Sequence, residues 1–200
     1  MNDLFSSPVL RIDQPRRAPG ARSEYKVSDG HGTLIATAGE RDISRLRKAG
    51  RVVGGGGGSG RIVHVENAQG VPLVSVEAGK GASSGRATVS TPDGALIGCL
   101  QKTGEKAGYQ FTLLDSAERP VGRLEGSRYG YKFPVLDGYG NHVAQIEKKL
   151  KGPATELLTT SDKYSVEIFQ PLHDPLRFLV PVIAIGIDLM FYEGKDWPIG

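Results

Sequence analysis

Apolar and polar residues alternate in short runs over most of this chain, and the runs come in pairs separated by turn residues. Five stretches read as strand, turn, strand: VSDGHGTLIATA (27–38), HVENAQGVPLVSVE (64–77), VSTPDGALIGCLQ (89–101), LLDSAERPVGRLE (113–125) and VLDGYGNHVAQIE (135–147). Each turn contains Asp, Asn or Pro, usually with Gly, which are the residues tight hairpins demand. Aligning the second strands puts Ile35, Leu73, Ile97, Val121 and Val143 in register, the last three steps being 24, 24 and 22 residues. The next position is Ala36, Val74, Gly98, Gly122 or Ala144, small in four of five. Then come Thr37, Ser75, Cys99, Arg123 and Gln145, followed by Ala38, Val76, Leu100, Leu124 and Ile146.

A strand has a period of two, so the small residue and the aliphatic after it share one face and the polar residues take the other. One face is dry and one wet, as in an antiparallel sheet. Small side chains on the dry face leave room for something bulky. The candidate is a nearly charge-free run near the C-terminus, Phe178 to Ile187 (FLVPVIAIGI), which ends in Asp188-Leu-Met-Phe-Tyr-Glu193. Ten residues make a helix only ~15 Å long, whereas a bilayer core is ~30 Å thick. Arg177 and Asp188 bound the run, and an aspartate at mid-membrane costs about 2.5–3.5 kcal/mol. A short helix that is apolar all round belongs inside a protein. The pattern therefore predicts a mainly β protein, a closed antiparallel β-barrel around a buried hydrophobic C-terminal α-helix. A propeller could use hairpins of this period, but its blades would not need the helix.

The predicted helix covers about 174–192, with Asp174-Pro175 as N-cap and first-turn proline; Pro181 should kink it or mark a second start. Its structural residues are Phe178, Val182, Ile185, Asp188, Leu189 and Phe191. Residues 1–22, rich in Pro, Arg and Ser, read as a flexible N-terminal leader. Residues 23–200 read as one domain, and Gly54–Gly58 as a loop between hairpins.

Composition narrows the function. A formal charge of +3 is too mild to indicate nucleic acid without clustering. One cysteine, Cys99, allows neither an internal disulfide nor a CxxC motif. The N-terminus has no apolar run of signal-peptide length, so a cytoplasmic location is expected. Gly55-x-Gly57-x-x-Gly60 matches a dinucleotide fingerprint by letters alone, because the strand-like RIVHVE follows it where a helix is required. Arg61 and Ile62 stand where a Walker loop needs Lys and Ser or Thr. His31, His64, His142 and His173 show no HxH or HExxH spacing, and there is no GxSxG elbow. No catalytic constellation is present in the sequence, and a non-enzymatic role is expected.

Two basic stretches remain. Lys148, Lys149 and Lys151 end the fifth hairpin, either as a solvated strand end or as contacts for anionic headgroups, worth about 1 kcal/mol each near a charged lipid surface. Arg128 and Lys132 interleave with Tyr129, Tyr131 and Phe133, a pattern compatible with nucleic-acid stacking or with strand packing.

From Val143 to Glu193 the sequence resembles the C-terminal part of the phospholipid scramblase and LURP-one-related family, of the tubby C-terminal-like superfamily. The resemblance rests on IEKKLKG (146–152), ELLTTSDKY (156–164) and IDLMFYE (187–193), in that order. It implies a barrel of twelve strands around the helix, and peripheral binding of anionic phospholipid membranes, at the inner face of the plasma membrane, with movement of lipid between leaflets. The alternative is a non-translocating tubby-like module for protein interaction or stress response, with a protein partner. The family's calcium segment is degenerate here. Its first Asp falls on Thr160, its second on Asp162 and its Asn on Lys163, with only Glu167 and Asp174 acidic downstream. Calcium needs six to eight oxygens, so this departure from the family pattern argues against calcium, and no metal or cofactor is expected.

Overall fold

The computed structural model describes residues 3–14, 24–40, 61–79, 85–104, 110–126, 132–148 and 163–191. Twelve strands run in chain order as β1 (Val9–Asp13), β2 (Glu24–Asp29), β3 (Leu34–Gly39), β4 (Arg61–Asn67), β5 (Pro72–Ala78), β6 (Arg86–Ser90), β7 (Leu96–Gly104), β8 (Gln110–Asp115), β9 (Pro120–Glu125), β10 (Lys132–Asp137), β11 (His142–Lys148) and β12 (Lys163–Ile168). Each pairs antiparallel with its sequence neighbours, and β1 pairs with β12, so the sheet closes into a barrel with no edge. The five hairpins expected from the sequence are β2–β3 through β10–β11.

The hairpins share one turn. At the end of the first strand, Asp29, Asn67, Thr91, Asp115 or Asp137 accepts backbone N–H groups on its side-chain oxygen, as in Asp137 Oδ1 from Tyr139 and Asn141 at 2.9 and 2.8 Å. Three residues later the chain needs positive φ, which glycine adopts without steric cost. Gly32, Gly70, Gly94 and Gly140 supply it, and Glu118 takes the same place at φ 61°. Past every turn the register shifts by one residue, at Ile35, Leu73, Ile97, Val121 and Val143. These are the five aligned apolar positions. A bulge there sets two residues against one and bends the strand, so the aliphatic residue and the small one after it both meet the core.

The inner face is dry as predicted, with Ala36, Val74, Gly98, Gly122 and Ala144 buried together with Ala38, Val76, Leu100, Leu124 and Ile146. Into this space runs the C-terminal helix, as α1 (Leu176–Leu179), a 3-10 turn (Val180–Val182) and α2 (Ile183–Phe191). Pro181 is the middle residue of the 3-10 turn, whose tighter winding carries the chain past the missing N–H, and Ile183 N–H donates back to Val180 O. Val182, Ile185, Asp188 and Leu189 are buried and Phe178 is half-buried; the side chain of Phe191 lies outside the described residues. The helix enters at the hairpin-turn end, where Leu176 lies against Gly122, and passes Gly98 at Leu179. No helix among the described residues is long and apolar enough to cross a membrane.

Two expectations are corrected. Residues 1–22 are not all leader: β1 closes the barrel, with Leu10 and Ile12 facing the core and Leu4 buried before them. Five residues with three apolar side chains, two of them facing the core, are too short a pattern to stand out between Pro- and Arg-rich flanks. Asp174 is not the N-cap. Pro175 takes that place without a side-chain cap, after a cis Asp174–Pro175 bond, and the Asp174 carboxylate instead pairs with Arg177 Nε at 3.1 Å.

Candidate functional site

Even-numbered strands run toward the tight turns and odd-numbered strands away from them, so the barrel has two unlike ends. The end opposite the turns carries two of the basic candidates, Lys132 and Lys148. Lys132 begins β10 and Lys148 ends β11, and Lys132 lies opposite Glu147 in the ladder. They point to different faces. Lys132 Nζ lies on the outer wall, 2.9 Å from Glu147 Oε1. Lys148 follows Ala144 and Ile146 on the inward side and lies half-buried at the barrel mouth, its Nζ 5.5 Å from the centre of the Tyr164 ring. Arg128, Lys149 and Lys151 fall outside the described residues.

Beneath Lys148 is a polar cluster that closes this end. Asp188, fully buried on α2, accepts from Tyr25 OH at 2.7 Å and Gln14 Nε2 at 2.9 Å on Oδ2, and from Tyr164 OH at 3.1 Å on Oδ1. Three neutral donors thus surround one carboxylate, each bond to a charged group being worth about 1.5–3 kcal/mol. The donors come from β2, from the residue after β1 and from β12, so the cluster ties the closing strands to the helix. Sequence reading found Asp188 but missed Gln14, Tyr25 and Tyr164, which no local spacing connects to it.

Among the described residues, the calcium candidates form no metal site. Glu167 is exposed on β12, Asp174 is paired with Arg177, and Asp162 lies outside the described residues. Among the described residues, no group of three or more His, Cys, Asp or Glu is arranged to hold a metal. Cys99 points outward yet is buried, and burial pushes its thiol up, against a smaller opposing effect of Arg86, whose Nη2 pairs with Glu118 at 2.9 Å. A thiol so held is a poor nucleophile.

A family model described as Scramblase matches residues 75–194, more than half of the chain. The chain belongs to the scramblase family. The X-ray structure of the Arabidopsis thaliana protein AT5G01750 superposes with a TM-score of 0.53 at 17% identity, over 92% of this chain and 93% of that one. At that identity the likeness speaks for the fold alone. No curated protein matches the chain significantly.

Proposed function

We propose that this scramblase-family protein binds anionic phospholipid surfaces peripherally, without catalysis, through the barrel end that carries Lys132 and Lys148. The reading is supported by acids gathered at the turn end and by bases abundant in the chain segments that link strands at the other. At the turn end, four of the five hairpins carry Asp29, Asp93, Asp115 and Asp137, joined by Asp174 beyond β12, with Arg119 and Arg177 pairing Asp115 and Asp174. At the opposite end the strand termini roughly balance acids such as Asp13 and Glu40 with bases such as Arg61 and Lys163. In the sequence, segments 15–23 and 41–60, which link β1 to β2 and β3 to β4, hold eight basic residues against one acidic. Such an end steers toward negative headgroups. Peripheral binding also fits the outer wall, where Lys26, Glu77, Arg123 and Glu125 are exposed. A lysine or arginine on a lipid-facing barrel wall costs about 2–4 kcal/mol at the midplane.

Liposome flotation tests this reading. Retention on phosphatidylserine vesicles, absent on neutral ones and lost at high salt and in Lys148→Ala/Lys149→Ala/Lys151→Ala, is expected; no retention at low salt overturns it. A dithionite assay in proteoliposomes tests lipid movement between leaflets separately, with newly accessible labelled lipid as the positive result. A second reading, a protein-interaction module, is favoured by the opposite end. There Leu34, Val71, Leu96, Tyr139 and Phe169 expose apolar surface.

A further inference from the structure

The turn end has a concave feature as well as exposed apolar side chains. A groove of about 960 Å³ lies between the β8–β9 turn, the β10–β11 turn and the segment leading into α1. Its apolar lining includes Val121 and Val143 from two of the bulges, with Leu172 and Leu176 from the segment that enters the barrel. Tyr139, in the β10–β11 turn, stands at its mouth with 95% of its surface exposed. A volume of that size suits a small ligand or a few side chains of a peptide.

The walls carry two carboxylates, Asp137 and Asp174, and one histidine, His173, next to Asp174. Among the described residues, the Asp137 carboxylate accepts from neutral donors: the backbone N–H groups of Tyr139 and Asn141, with Gly140 contributing, and the Asn141 amide at 2.9 Å. The Asn141 side chain above all, then those backbone groups, hold its carboxyl below the usual carboxylate range. Among the described residues, no ion pair is made by this carboxylate. The cation near Asp174, Arg177, is not on the groove wall, its guanidinium lying 4.7 Å from the Phe178 ring centre.

We propose that this groove docks a peptide segment of a protein partner in which apolar residues alternate with lysine or arginine. The apolar side chains cover Val121, Val143 and Leu172, Tyr139 closes over them, and a basic residue meets Asp137. The inference extends the second reading above to one site and is independent of lipid binding at the other end. A barrel without edges cannot accept a partner by strand addition, so side-chain burial and charge must hold the peptide.

The test is fluorescence anisotropy with a fluorescein-labelled decapeptide of alternating Leu and Lys, against Leu–Glu and Ser–Lys counterparts. The Leu–Lys peptide should bind, and Tyr139→Ala and Asp137→Asn should each weaken it by about tenfold, the scale of a central contact in an interface. Asp137→Asn keeps the turn, since Asn67 accepts the same two backbone bonds in the β4–β5 hairpin. Equal binding of the Leu–Glu or Ser–Lys peptide, unchanged binding by both variants, or no binding overturns the proposal. Amide shift mapping gives a second readout: perturbations should centre on 119–121, 137–143 and 170–176, and a map centred elsewhere, or a dimer formed through this face, overturns it. Vesicle retention should be unchanged by Tyr139→Ala, which separates failure here from failure of lipid binding.

Discussion

The hydroxyl of Tyr25 donates to Oδ2 of Asp188 at 2.7 Å, joining β2 to the buried helix across 163 positions of sequence. With Gln14 and Tyr164 it turns what would be a buried charge into the polar lock of one barrel end. A buried carboxylate persists only where hydrogen bonds replace its water.

Asp188→Ala should therefore destabilise the fold more than a surface substitution does. Losing the acceptor shared by three donors costs about 1–3 kcal/mol or more, read as a lower urea midpoint. Tyr25→Phe should show a smaller loss. Equal midpoints for wild type and Asp188→Ala would mean that the cluster contributes nothing.

Leu10→Ala tests the closing strand. Leu10 is fully buried and lies opposite Asp29 on β2 and Val166 on β12. Truncating such a residue costs about 2–5 kcal/mol. An unchanged melting temperature would fit a loose leader instead.

Gly122 faces the helix at its entry. A methyl group there would lie 2.6 Å from Leu136 O and 3.4 Å from Leu176 Cδ2. Gly122→Leu should cost at least about 1–3 kcal/mol by overpacking, and even Gly122→Ala should lower the melting temperature. Gly98→Ala, which would crowd Leu114 O and Leu179, should behave likewise.

Acid should loosen the hairpin turns first. Asp115 is held below the ordinary carboxylate range chiefly by the Arg119 N–H, and Asp137 chiefly by the Asn141 side chain. A carboxyl whose folded value is depressed stabilises fully above its unfolded value, near ~3.9, and loses that contribution as pH falls through the lower folded value. Stability should decline below about pH 4. Asp115→Asn should flatten the decline, since the amide still accepts the Ala117 and Arg119 bonds but does not titrate. An equally steep acid limb in that variant would assign the decline to other groups.

Much of the fold was legible because its signals are local. The turn formers and the period of two mark β2 through β11, and the small residue after Ile97 or Val121 marks the inner face. The apolar run ending at Asp188 was too short for a bilayer and too greasy for a surface. The sites were less legible. Lys132 and Lys148 are near in sequence to other basic residues, but the pleat sends one to the outer wall and the other to the mouth. The groove gathers Val121, Tyr139 and Leu172 from three connections with no common spacing.

The chain's own pattern determined the hairpins, their dry face and the buried helix, since each depends on residues a few positions apart. Tertiary structure alone decided that Leu10 lies beside Val166, that Gln14, Tyr25 and Tyr164 meet Asp188, and that the hairpin aspartates gather at one end. Those relations arise when a sheet closes on itself: closure brings together residues whose separation along the chain leaves no periodic trace.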